Sequence, residues 1–231
     1  MRIDMLVPVY VDMWNEGIMK EALKTKAPDV DLHITNLDAG VPSVESFYDV
    51  AYAARYVVEK AMELEAAGSQ GLVLYCFKDP MLAACKEVLN IPVVGLCDSA
   101  ITMAHLVGER ICVLTSRINS QAQHYRELKG RVKRVDTLDI PVLEYKDHDK
   151  TGRAVDEKIA IAAADGCDVV VLACGSMLGF DFAAIEEKYQ VQIIRPVACA
   201  MSAIDYMVRT GLRQSRLDYP APDLSKKIII Q

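Results

Sequence analysis

Two cysteines, Cys76 and Cys174, each close a short apolar run, Gly71-Leu-Val-Leu-Tyr-Cys76 and Val169-Val-Val-Leu-Ala-Cys174, 98 residues apart. Apolar runs of this kind, without polar alternation, are what strands buried on both faces of a parallel sheet require. The sequence around them repeats at nearly the same interval. Glu65-Ala-Ala-Gly68 answers to Ala162-Ala-Ala-Asp-Gly166, and Leu89-Asn-Ile-Pro-Val-Val-Gly95 to Tyr189-Gln-Val-Gln-Ile-Ile-Arg195. Asp98-Ser-Ala-Ile-Thr-Met-Ala-His105 matches Ala198-Cys-Ala-Met-Ser-Ala-Ile-Asp205, and Arg2-Ile-Asp-Met-Leu-Val-Pro8 matches Arg110-Ile-Cys-Val-Leu-Thr-Ser116. A chain that repeats itself in this way folds as two similar α/β halves. Each half then presents one cysteine at the strand end that faces the crevice above the sheet, where ligands bind in such folds.

Strand and helix patterns alternate throughout, the signature of parallel sheets flanked by helices. Strands are expected near residues 2–8, 30–36, 70–75, 91–95, 110–115, 132–138, 168–173 and 191–195. Ser43 is placed to cap a long helix that starts near Val44 and stops at Gly68. Asp79-Pro80 reads as an N-cap followed by a first-turn proline, which would set Cys76 just ahead of a helix N-terminus. The first lobe is expected to comprise residues 1–97 plus about 208–231, and the second residues 98–207. The tail from Lys226 to Gln231 fits a terminal strand, an oligomer contact or an arm on the first half.

A hydrophobic content of 52% in 231 residues is ample for a core. The net charge of -6 is spread along the chain with no basic stripe, which argues against nucleic acid or an anionic membrane as partner. A small-molecule substrate is the expected ligand, and a homo-oligomer the expected assembly. Asp4 and Asp12 break up the one N-terminal apolar stretch, so no secretory signal is expected. The most membrane-like window, Leu89 to Gly108, contains Pro92, Gly95, Asp98 and His105 and splits into a strand and a helix. Seven cysteines without framework spacing suit a reduced cytoplasm. Cys85, Cys97, Cys112, Cys167 and Cys199 sit among apolar neighbours and read as packing residues. With four scattered histidines and no Cys-x-x-Cys, no metal site is expected, and no cofactor.

Two thiols opposed across a cleft suit cofactor-independent inversion of a carbon centre, in which a base on one face removes a proton and an acid on the other returns one. An ordinary thiol has a pKa of about 8.5, so modest stabilisation would bring one near working pH. The carbanion needs an adjacent carbonyl and preorganised donors, for which Thr115, Ser116, Ser176 and the amides of the Cys174-Gly175 turn are candidates. The plainer alternative is that both thiols are buried strand-end residues, as cysteines often are.

Gly40-Val-Pro-Ser-Val-Glu-Ser46, Leu74-Tyr-Cys-Phe-Lys-Asp-Pro80, Ile91-Pro-Val-Val-Gly95 with Asp98-Ser-Ala100, and Asp165-Gly-Cys-Asp-Val-Val-Val-Leu-Ala-Cys174-Gly together resemble the aspartate/glutamate racemase superfamily, most closely its hydantoin racemase branch. The resemblance runs from about Gly40 to Met207. It implies two flavodoxin-like lobes with the active site in the cleft, and Cys76 and Cys174 as the acid/base pair. It also implies that Ser43 and Glu45 lie in a loop near the site, that Phe77 adjoins the first thiol, that Thr115 and Ser116 offer hydroxyls to the substrate, and that the Gly175 amide faces it.

Three departures stand out from that pattern. Where hydantoin racemases typically carry Asn-Pro-Asn-Thr after the first strand, this chain has Val7-Pro-Val-Tyr10. The usual Gly after Asp-Pro is Met81, and an Asp near the last strand is replaced by Arg195. Arg195 is expected either to pair with a carboxylate such as Glu186 or to face the cleft and bind a substrate carboxylate. Tyr10, Trp14 and Tyr48 are candidates for an aromatic wall or for core packing. The leading expectation is a racemase or epimerase of a hydantoin or related amino acid derivative. The alternatives are a decarboxylase, isomerase or thiol-nucleophile enzyme of the same fold, and a noncatalytic binding protein.

Overall fold

The computed structural model describes residues 1–226; residues 227–231, which hold all but the first residue of the Lys226–Gln231 tail considered above, lie outside the described residues. The eight expected strands all form: β1 (Arg2–Val7), β2 (Asp31–Asn36), β3 (Leu72–Leu74), β4 (Val93–Gly95), β5 (Ile111–Thr115), β6 (Arg134–Thr137), β7 (Val169–Leu172) and β8 (Gln192–Ile194). They make two four-stranded parallel sheets with orders β2-β1-β3-β4 and β6-β5-β7-β8. The two orders are the same permutation, so the repeat seen in sequence is a repeat in topology. Central strands β3 and β7 are buried throughout, as their unbroken apolar runs require.

Among the described residues each strand is followed by one α-helix: α1 (Asn15–Ala22), α2 (Phe47–Ala66), α3 (Leu82–Val88), α4 (Leu96–Val107), α5 (Ile118–Glu127), α6 (His148–Ala164), α7 (Phe182–Tyr189) and α8 (Pro196–Thr210). Two apolar cores lie on the outer faces: Leu6 and Leu74 packed against Val57 of α2 in one lobe, and Leu114 and Leu172 against Ile159 of α6 in the other. A third core joins the lobes. It takes Ile3, Met5 and Val73 from one sheet and Ile111, Val113 and Val171 from the other, with Ala100, Ile101 and Ala104 of α4 and Ala200, Met201 and Ile204 of α8 packed among them. Here α4 packs on β7 and β8, whereas α8 packs on β3, β4 and α1. Each sheet's last strand thus hands its following helix to the other lobe, and the lobes share one apolar interior. Beyond α8 the chain returns along the first lobe, where the Gln214 amide donates to the Val93 carbonyl and the Arg216 guanidinium to those of Glu87 and Leu89.

Two expected helix starts are corrected. Ser46, not Ser43, is the N-cap of α2, its hydroxyl accepting from the Asp49 amide at 3.1 Å. The segment from Gly40 to Ser46 stays non-helical, and Ser43 is left free to reach the interlobe cavity. Asp79 does not cap α3, whose N-cap is Met81 in the left-handed region at φ 60°. Its carboxylate instead accepts from the amides of Cys97 and Asp98, the first turn of α4, at 3.0 and 2.9 Å. Gly95 makes this possible, because a Cβ there would collide with the Asp79 carboxylate. Burial pushes the Asp79 pKa up to about 7, while the Asp98 and Cys97 amides pull it the other way.

Candidate active site

Both cysteines sit two residues beyond the ends of their strands, β3 and β7, each beside the first strand of its own sheet. This is the topological switch point of a parallel sheet, where the chain leaves room for a ligand. The lobes are joined so that the two switch points open on one narrow cavity of about 60 Å³, which widens to about 530 Å³ of atom-free space when its mouth is included. Cys76 and Cys174 both line it, and each retains some exposed surface.

Of the other residues singled out by sequence, Ser43, Phe77, Ser116, Gly175 and Ser176 line the cavity. Tyr10, Glu45, Thr115 and Arg195 do not. Tyr10 is half exposed. Thr115 is buried at the end of β5, its carbonyl accepting from the Leu138 amide. Glu45 stands just behind the wall, where its side chain accepts from the Ser43 hydroxyl at 3.2 Å and its carbonyl from Ser120 at 2.9 Å. Arg195 pairs with Glu21 at 3.5 Å, while Glu186, the partner suggested by sequence, accepts from the Ile193 amide. Trp14 lines the cavity, but Tyr48 is exposed against Tyr52. The departing segment Val7-Pro8-Val9 forms an apolar part of the wall, with Val44 and Val142.

Residues that cross between lobes fix the cavity. The Tyr75 ring, from the first lobe, packs directly over Gly175 of the second: a Cβ on Gly175 would lie 2.5 Å from Tyr75 Cζ. Phe77 meets His124 edge-on at 5.2 Å between ring centroids, and the Lys78 ammonium donates to the Gln123 side-chain carbonyl at 2.8 Å. Lys78, Ser120 and His124 also line the cavity and were not picked out from sequence. Ser120, Gln123 and His124 form the buried face of α5, and their spacing of i, i+3 and i+4 puts them on one side of a helix. An inward polar stripe of this kind was the available signal. Ser120 lies 3.3 Å from the Ser116 hydroxyl and donates onward to Glu45, so the hydroxyls form a short relay.

Burial dominates the electrostatics. It pushes the Cys76 thiol up to about 12; the Lys78 amide and charge oppose the shift, and the Cys174 thiolate would add to it. Burial likewise pushes Cys174 up to about 11, opposed by the Ser176 amide and hydroxyl, reinforced by Glu45 and opposed again by Lys78. The sequence-based expectation of a thiol near working pH therefore does not hold, because desolvation outweighs the local donors. Burial pushes His124 below its ordinary value, against the opposing pull of the Glu127 carboxylate 3.6 Å from Nδ1. Among the described residues no cluster of three or more His, Cys, Asp or Glu side chains is placed to hold a metal ion, and no helix is long and apolar enough to cross a membrane.

Fold and site together define a two-lobed, pseudo-symmetric α/β protein with a thiol from each lobe in a shared interlobe cavity. The chain belongs to the Asp/Glu/Hydantoin racemase family, which it matches over residues 16–204. It is 26% identical to the hydantoin racemase of a Pseudomonas species, covering 94% of this chain and 90% of that protein. To the hydantoin racemase of Paenarthrobacter aurescens it is 27% identical over 94% of each chain. Among solved structures, the allantoin racemase of Klebsiella pneumoniae superposes with a TM-score of 0.89 at 27% identity, over 100% of this chain and 96% of that one.

Proposed function

We propose that the protein is a cofactor-independent racemase of a five-membered cyclic ureide of the hydantoin or allantoin type, with Cys76 and Cys174 as its two acid/base groups. The observation that carries this reading is that two thiols from equivalent positions of a duplicated fold line one cavity. The names of the relatives supply the substrate class.

In the reaction one cysteine is a thiolate and the other a thiol. The thiolate takes the hydrogen from the stereogenic ring carbon, and the electron pair of the broken C–H bond delocalises onto the adjacent ring carbonyl. The opposite thiol then delivers its proton to the other face. The ring emerges inverted and the two sulfurs have exchanged protonation states. Mutual repulsion keeps both from ionising together, since a Cys174 thiolate raises the Cys76 pKa. Ser43, Ser116 and Ser176 and the turn amide of Gly175 are the available donors for the developing oxyanion. The apolar walls from Val7 to Val9 and at Val44 and Val142 exclude water that would otherwise compete.

The test is deuterium incorporation at the ring carbon, and loss of optical rotation, for single enantiomers of a hydantoin panel and of allantoin in D2O. Cys76→Ser and Cys174→Ser should each lower racemisation by about 100-fold or more, the scale of a general acid or base. Racemisation retained in both single variants, or a product of changed mass, would overturn the assignment.

A further inference from the structure

The cavity contains one charge that inversion at carbon does not itself require. Lys78 projects into it from the loop after β3, and its ammonium has a single hydrogen-bond partner among the described residues, the neutral carbonyl oxygen of the Gln123 side chain. Of the other half-buried lysines, Lys60 pairs with Asp38 and Glu63 and Lys86 with Asp98, whereas Lys26 donates to the Ala27 and Val30 carbonyls. No carboxylate lies within ion-pairing distance of Lys78 among the described residues. Glu127, Asp49 and Glu45 act on it only through longer-range attraction. Gln123 is itself held in place by donating to Glu127 at 2.9 Å, which aims its carbonyl at Lys78.

A buried ammonium with spare donors and no counter-ion is costly unless something completes it. Burial lowers the Lys78 pKa, and an anion docked against the group would relieve that penalty. The neighbours are suitable. Ser116 and His124 line the same cavity and offer hydrogen-bonding atoms, and His124 Nδ1, 3.6 Å from the Glu127 carboxylate, has no hydrogen-bond partner among the described residues. Arg195, the anion receptor considered from sequence, is occupied by Glu21 outside this cavity.

Building on the racemase reading above, we propose that Lys78 is the receptor for a negatively charged substituent, and that the preferred substrates are cyclic ureides bearing a carboxylate on the side chain of the stereogenic carbon. Lys78 is then the residue that sets specificity: it holds the side-chain carboxylate through its free N–H donors while the ring lies between the thiols. On α5, His124 faces the same anion, while Ser120 is committed to the Glu45 carbonyl and the Glu127 carboxylate is held behind Gln123 and His124.

The test compares hydantoin-5-acetate with its neutral isostere, hydantoin-5-acetamide, in the full-length protein. The quantity read is the ratio of their kcat/KM values for deuterium exchange at the ring carbon. Wild type should favour the carboxylate by about 10- to 100-fold, the range expected for a hydrogen-bonded charge pair. Lys78→Met should bring that ratio to about one, and Lys78→Arg should restore a preference for the anion, on the same principle. Were Lys78 instead a strap between lobes, or a stabiliser of the ring oxyanion, Lys78→Met would lower both substrates alike and leave the ratio intact. That result overturns the proposal, as does a wild-type ratio near one. Binding of hydantoin-5-acetate and its amide by calorimetry, in wild type and Lys78→Met, separates this from failure of the racemase reading. Lys78-dependent preference for the anion without exchange refutes the chemistry alone, and exchange without that preference refutes the receptor alone.

Discussion

The elevated pKa values of the two thiols carry a direct kinetic consequence. A thiol titrating near 11, as Cys174 does, is ionised to about one part in ten thousand at pH 7, whereas an unperturbed thiol with a pKa of about 8.5 would be ionised to about three per cent. Because only the thiolate is nucleophilic, the alkylation rate of Cys174 by iodoacetamide should rise about tenfold per pH unit from pH 7 to 9.5 without levelling. The modification is followed at each cysteine by peptide mass spectrometry, and Cys76, pushed up to about 12, should lag behind Cys174 throughout. The protein should survive the experiment. A thiol whose folded-state pKa is raised contributes stability that is intact below its ordinary value of about 8.5 and is lost as pH climbs from there toward about 11. A plateau in the Cys174 rate near pH 8.5 would refute the reasoning, since it would mean that the turn amides and Lys78 outweigh burial.

Two further outcomes follow from the same geometry. Gly175→Ala forces a methyl group to within 2.5 Å of the buried Tyr75 ring, so it should cost about 1–3 kcal/mol and lower racemase activity by shifting the Cys174 turn; a melting temperature and kcat equal to wild type would contradict the contact. Arg195→Met, which removes a half-exposed partner of Glu21 while Lys24 still pairs with that carboxylate, should change stability by no more than about 1 kcal/mol and leave the preference for anionic substrates untouched; loss of that preference would return Arg195 to the cavity.

The parts of this structure that were legible in sequence are those governed by local pattern. The strands β3, β5 and β7 announce themselves as apolar runs, and the repeat in sequence is matched by one strand order in both sheets. Long-range use of a residue is what local pattern misses. Asp79 precedes proline and so looks like the cap of the helix that follows, yet its carboxylate is drawn to the first turn of α4 because Gly95 leaves space there. Local pattern offers Ser43 as the cap of α2. The choice falls on Ser46, while the loop before it runs up to the second lobe, where the Glu45 carbonyl meets Ser120. Lys78 was invisible for a different reason: a lysine beside a strand end is ordinarily solvated, and nothing nearby in sequence reveals that α5 will close over it with a polar face.

The duplicated framework also explains how unlike flanks can serve a symmetric task. On the mechanism proposed above, acceptance of both enantiomers requires each sulfur to alternate between base and acid. The residues two positions beyond the thiols, Lys78 in the first copy and Ser176 in the second, differ in side chain, but the backbone amide of each favours its own thiolate. The Lys78 charge moreover acts on both sulfurs in the same direction, lowering each. It therefore stabilises the ionised form of the pair without assigning it to one member. What remains between about 12 and about 11 is on the order of one unit, a bias of about tenfold between the two singly ionised states. That bias is small beside the contribution of about 100-fold or more expected from each acid/base group, so a single cation placed by one copy can support proton transfer in both directions.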